Sequence, residues 1–220
     1  MLTAFLRALG DLRSPDFRSV LFKAIGLALA LFVAIFLAVE GVFWFLTFFP
    51  YPWLETLAGI GAALGLLVAF FFLMAPVTAM FAGLYLDEIA AKVETAHYAA
   101  DGPGRPLPLV KALRFSLQFG LLVLAVNILA LPMVFTGFGA IVLITINAYL
   151  LSREYFEMAA MRFMDAAEAK QMRKENAVNI FAAGFIPALM ALVPIVNLVV
   201  PLFSTAYFVH IFKQVKRSSA

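Results

Sequence analysis

The sequence has no cysteine and only two histidines, His97 and His210. Without cysteine there is no disulfide framework and no thiolate metal site, and two histidines so far apart in sequence make no His-based zinc motif. Charge is also scarce. Only 13% of residues are charged against 65% hydrophobic, with a mean hydropathy of +1.00. That leaves too little polar surface to cover a water-soluble globule of 220 residues, so the chain is expected to live in a bilayer. A nucleotide fingerprint is missing too: GIGAALG, residues 59–65, departs from G-x-G-x-x-G and lies inside an apolar run, where Gly61 and Gly65 read as small residues for close helix approach. No Ser-His-Asp or paired-carboxylate arrangement stands in a context that would support catalysis. The expectation is no enzyme, no catalytic residue, no cofactor, no metal and no nucleic-acid partner.

What is present is apolar length. Uncharged stretches run over residues 24–39, 56–86, 115–152 and 176–209, the first continuing past Glu40 to residue 49. Each is long enough to cross a hydrocarbon core, which takes about 20 helical residues. The expected architecture is a single all-α membrane domain over residues 1–220, with two long transmembrane helices and two helical hairpins tipped by Pro, Gly and Asn. The opening MLTAFLRALGDLR sets Leu2, Phe5, Leu6, Leu9 and Leu12 on one helical face, which predicts an interfacial helix over residues 1–13. Charges interrupt this region, so no apolar signal-peptide core is expected. Ser14 as N-cap and Pro15 at the first helical position then start a long membrane helix over 15–49, which leaves the bilayer through Phe43, Trp44, Phe45, Tyr51 and Trp53. The second long helix, 56–96, is expected to tilt, bend near Pro76 or protrude, with Glu88 and Lys92 paired at i,i+4 on its polar continuation. GPGRPLP at 102–108 ends it.

Runs 115–152 and 176–212 are roughly twice the length of one span and carry their backbone-disturbing residues near the middle: Asn127, Pro132, Gly137 and Gly139 in one, Pro187, Pro194, Asn197 and Pro201 in the other. Proline removes a donor and blocks the preceding helix, so PIVN at 194–197 predicts a chain reversal. The hairpins are either complete two-helix spans or re-entrant elements whose tips are sheltered from lipid by protein or water. If both return to their starting side, all 16 Lys and Arg fall on one face, and the other receives only Glu55; the basic face is then cytoplasmic. Residues 152–175 between them read as a solvated connecting helix, and His210 as an interfacial residue.

The sharpest candidate site is SPDFRSV, residues 14–20. A helix starting at Pro15 presents N–H groups and a partial positive charge to an anion, and Arg18 adds a guanidinium fork for a tetrahedral oxyanion. The same residues also read as ordinary capping by Ser14 and Asp16 beside a snorkelling Arg18. Phe17, Arg18 and Ser19 are therefore the candidate anion-binding residues. Glu40 is the acidic residue inside an apolar run, either solvated at the helix end or part of a path, and Asn127 and Asn197 are candidates to line or brace one.

MAPVTAMFAGLYLDEIAAKVE, the hairpin-like third run, AYLLSREYFEMAAMR and PIVNLVVPLFSTAYFVHIF, in that order, resemble the CysZ family of bacterial membrane proteins associated with sulfate uptake for cysteine synthesis. The resemblance rests most on Pro76, Ala82, Gly83, Asp87 and Glu88 and on the P-x-x-N-x-x-x-P pattern of Pro194, Asn197 and Pro201. It implies a multi-pass protein of the bacterial inner membrane, with partly penetrating hairpins, assembled into homo-oligomers in the lipid bilayer that pass sulfate or a related oxyanion without nucleotide hydrolysis. It also implies a sulfate site at Pro15, Asp16, Phe17, Arg18 and Ser19, where Asp16 replaces a family glycine and Ser19 a common second arginine. Glu154, Tyr155 and Glu157 match the family's acidic-aromatic stretch, Ala159 standing where proline is frequent. The alternatives are a non-transporting scaffold or assembly factor, docking partners through residues 87–114 and 152–175, and a permease for another small solute.

Overall fold

A computed structural model of the chain describes residues 1–45, 51–83, 85–106, 108, 117–118, 121–122, 125–126, 128–129 and 138–218. Among these residues every regular element is a helix. In chain order the helices are α1 (Leu2–Asp11), α2 (Pro15–Phe45), α3 (Pro52–Gly83), α4 (Leu86–His97), α5 (Gly139–Met161), α6 (Ala166–Glu175), α7 (Ala177–Met190), α8 (Pro194–Asn197) and α9 (Val200–Ser218), with a 3-10 turn at Ala99–Asp101 after α4.

The two longest helices, α2 and α3, pack against each other as a hairpin, with the Phe32 and Phe70 rings 5.1 Å apart edge to face. Within α2, Pro15–Val42 is long and apolar enough to cross a membrane, with little of it buried inside the protein. Leu29, Val33, Leu37, Leu57, Leu64 and Val68 stand exposed along the pair, an apolar surface suited to lipid. Phe45, Tyr51 and Trp53 are exposed where the helices meet their connection, in keeping with an aromatic girdle.

The other end of the molecule is built around α9, which contacts α1, α4, α5 and α7. Leu202, Phe203, Tyr207, Phe208 and Phe212 on α9 are fully buried. Phe203 meets Phe5 of α1 at 5.9 Å, Phe208 stacks on Tyr155 of α5 at 6.4 Å, and Phe212 stacks on Phe163 at 5.5 Å. Helix α1 is amphipathic in two directions. Ala4 and Ala8 press into the core while Leu2 and Leu6 stay exposed, so α1 is docked on protein along one side as well as free to meet lipid on another.

Several boundaries differ from those read from the sequence. The expected continuous helix over 56–96 is two: α3 runs on through residue 76 without ending, the helix breaks around Tyr85, and α4 starts at Leu86. The 152–175 connector is not one solvated helix, because α5 continues to Met161 and buries Ser152, Tyr155, Phe156, Ala159 and Ala160. A capping box of Asp165 and Glu168 then starts α6. PIVN forms the short α8 between α7 and α9, the expected punctuation of the last hairpin. At 14 residues, α7 spans about 21 Å, short of a ~30 Å hydrocarbon core. The first arm of the 115–152 hairpin, with Asn127, Pro132 and Gly137, falls largely outside the described residues.

Close helix approach occurs at Gly184 rather than at Gly61 and Gly65. A Cβ on Gly184 would stand 2.1 Å from the Ala148 carbonyl oxygen, whereas one on Gly61 or Gly65 meets nothing within 4 Å among the described residues. Gly184 is what lets α7 lie against the backbone of α5.

Candidate functional site

Helix α2 begins at Pro15, as its proline and the preceding serine dictate. Ser14 caps it: the Phe17 N–H donates to Ser14 Oγ at 3.4 Å and the Arg18 N–H to the Ser14 carbonyl at 3.3 Å. Two of the first-turn donors are thus already engaged. Phe17 is buried and anchors the turn, while Arg18 and Ser19 are exposed side by side on the polar surface. Asp16 is not left to face an incoming anion alone: Lys92 of α4 lies 3.0 Å from it and 2.9 Å from Glu88, which confirms the i,i+4 pair and adds a tie between α2 and α4. Hydrogen bonding to Glu88, ahead of that to Asp16, raises the Lys92 pKa above the ordinary lysine value.

The remaining expected site residues lie apart from this one. Glu40 is half-buried near the far end of α2. Asn197 is half-buried at the end of α8, and Asn127 is outside the described residues. In the acidic-aromatic stretch, Tyr155 is buried against Phe208, and Glu157 pairs with Arg173 of α6 at 2.6 Å.

Two polar clusters beneath this surface escaped the sequence reading. In the first, Arg162, at the end of α5, is 2% exposed and grips Glu94 of α4, also 2% exposed, in a bidentate pair: Nε donates to Oε1 at 2.7 Å and Nη2 to Oε2 at 3.1 Å. Its Nη1 donates to Asp87, and the Gly104 N–H donates to Glu94 Oε2 at 3.1 Å. Burial alone would lower the guanidinium pKa, but Glu94 and Asp87 hold it above its ordinary value. Nothing local in the sequence marks Arg162 as the partner of Asp87 and Glu94.

The second cluster corrects two readings at once. His210 is fully buried rather than interfacial, and it lies beside His97, with ring centroids 5.0 Å apart. Between them stands Asp11, the last residue of α1. His97 Nε2 is 2.8 Å from Asp11 Oδ1 and His210 Nε2 is 3.1 Å from Oδ2. Burial pushes the Asp11 carboxyl up, but hydrogen bonds to His210 and His97 and their charges together hold it below the usual carboxylate value. On its other side, His210 Nδ1 is 2.7 Å from the Tyr98 hydroxyl. Sequence distance misled here because α4 and α9 are neighbours in space. Next to the cluster, buried Lys213 pairs with Asp101 at 3.0 Å and lies 3.6 Å above the Phe163 ring. The hydrogen bond with Lys213 chiefly keeps the Asp101 pKa low.

Across the described residues, then, the polar chemistry gathers at one end of an apolar helical hairpin: an exposed arginine at a helix start, a buried ion cluster and a carboxylate bridging two imidazoles. A family model described as sulfate transporter CysZ/etoposide-induced protein 2.4 matches residues 4–201. No curated protein matches the chain.

Proposed function

The chain belongs to the sulfate transporter CysZ/etoposide-induced protein 2.4 family, and on that premise we propose that it is a homo-oligomeric channel or permease of a bacterial inner membrane that passes a small oxyanion, sulfate first, down its gradient without nucleotide hydrolysis. The observation that carries this reading is the family match itself, which takes in the α2–α3 hairpin and the Arg162, Glu94 and Asp87 cluster at its polar end. The start of α2 supports it. Arg18 is exposed within the first turn of the one described helix that meets the length and apolarity of a membrane span, and Asp16, which would repel an anion, is ion-paired to Lys92.

In this reading the Arg18 guanidinium and the Ser19 hydroxyl recruit the oxyanion, and the helix dipole adds to the attraction. Phe17 holds the turn in place, since its own N–H is directed to Ser14. Asn127, Asn197 and Glu40 line or brace the path further in. Selectivity comes from replacing hydration with fixed donors that bind weakly enough for release.

Uptake of radiolabelled sulfate into proteoliposomes tests the function. Flux above empty vesicles is expected; folded protein without flux, co-purifying with a stoichiometric partner, would turn the reading to a scaffold. Arg18→Ala is expected to weaken sulfate binding roughly 10- to 100-fold, the scale of one charge-assisted hydrogen-bonding group. Unchanged affinity would remove Arg18 from the site. Competition with sulfite, phosphate and a cation identifies the solute class.

A further inference from the structure

The Asp11, His97 and His210 cluster lies outside the transport reading and has the make-up of a metal site. Their ligand atoms, one from each of α1, α4 and α9, all lie within 4.8 Å of one another. We infer that these three side chains form a binding site for a divalent transition-metal ion of the zinc class, which fastens α1 to α4 and α9.

Four features favour a cation of that class. Two imidazoles and one carboxylate are a donor set suited to zinc, cobalt or nickel, and a poor one for magnesium or calcium, which take oxygen ligands. Asp11 is the last residue of α1 and His97 the last of α4, so the negative ends of two helix dipoles meet at the cluster. His210 is held with Nε2 towards Asp11 by the Tyr98 hydroxyl on Nδ1, the outer-shell contact that fixes the ring of a metal-bound histidine. The site also has a way in, because the His97 side chain is 29% exposed and leaves room for water as a further ligand. Arg7, which lies against the Tyr98 hydroxyl, and Lys213 and Arg217, over the Tyr98 ring, are nearby positive charges that work against binding.

Coordination fits the hydrogen bonds already in place. Each Nε2 now points at an Asp11 oxygen, and an ion between them would take the place of the bridging protons, with each imidazole carrying its proton on Nδ1. For His210 that proton then faces the Tyr98 oxygen, which can accept it. The two histidines are the only ones in the chain and there is no cysteine, so a signal from an imidazole-bound metal has no other source.

The test is a titration of tag-free, full-length protein in detergent with Zn2+ by calorimetry and with Co2+ by visible absorption. One ion per chain is expected, with a Co2+ ligand-field spectrum of nitrogen and oxygen donors and a raised melting temperature; Mg2+ should do none of this. His97→Gln, at the accessible ligand, should weaken binding by at least about tenfold, and Tyr98→Phe by about 10-fold or more as an outer-shell change. Asp11→Asn removes the bridging charge and should abolish the Co2+ spectrum. Absence of saturable binding by the unaltered protein, or affinity unchanged in His97→Gln, would overturn the assignment. Because His97 is partly exposed, its variant remains informative even if His210→Gln fails to fold.

Discussion

Arg162 and Glu94 are each 2% exposed, so neither charge has water to fall back on. Removing one leaves the other buried and uncompensated, and Arg162→Ala is expected to cost about 3–5 kcal/mol of stability, read as a fall in melting temperature. The double change Arg162→Met with Glu94→Leu should recover most of that loss, because it removes both desolvated charges and fills the space, while the partly exposed Asp87 can turn to solvent. A single variant as stable as the parent would mean the cluster is wetter than its burial indicates. Glu154 lies beyond the apolar first half of α5, on its polar continuation. Burial first, then repulsion from Glu157, pushes its pKa up to about 7, with Arg153 opposing. A carboxyl whose folded pKa is raised takes up protons in the native state, so stability falls as pH rises from about 4.5 towards 7. Glu154→Gln should therefore raise the melting temperature at pH 8, by about 2–4 °C if the gain is ~1 kcal/mol, and leave it unchanged at pH 4. An equal gain at both pH values would show that ionisation is not the cause.

Helix α7 reaches the backbone of α5 because position 184 has no side chain. With a Cβ placed 2.1 Å from the Ala148 oxygen and 2.8 Å from Ser152 Cβ, Gly184→Ala forces the two helices apart. The expected cost is about 1–3 kcal/mol, the range for overpacking, whereas Gly61→Ala, which meets nothing within 4 Å among the described residues, should be close to neutral. Thermal unfolding of the two variants side by side distinguishes a true contact from a general effect of glycine. Both glycines stood in apolar runs of similar composition, and only the partner across the interface tells them apart. The boundaries that sequence made legible were those with a local chemical cause: Ser14 and Pro15 at the start of α2, and the proline of PIVN before α8. The break around Tyr85 between α3 and α4 had no such marker, since apolar residues run across it.

At the scale of the molecule, the C-terminal helix, the turn after α4 and the connector beyond α5 meet at one end, with Lys213 touching both Asp101 and Phe163. The same end carries the start of α2, through the pairing of Asp16 with Lys92. An impermeant thiol reagent applied to one side of oriented vesicles is therefore expected to label Lys174→Cys and Arg217→Cys together, in a chain with no cysteine of its own. Thr56→Cys, at the exposed far end beside α3's start, should react only from the other side. Labelling of Lys174→Cys and Arg217→Cys from opposite sides would break the shared-end arrangement and the clustering of basic residues with it.

Composition and run length by themselves determined an all-helical chain built to meet lipid, because an apolar stretch in hydrocarbon must satisfy its own backbone hydrogen bonds and has few other ways to do so. The punctuation of its helices followed from proline and serine, whose effects reach only a residue or two along the chain. The tertiary structure decided which charges are buried together, which glycine is needed and that His97 and His210 share a carboxylate. Those outcomes depend on pairs of residues brought together from distant helices, and a contact between distant parts of a chain leaves no mark on either part alone.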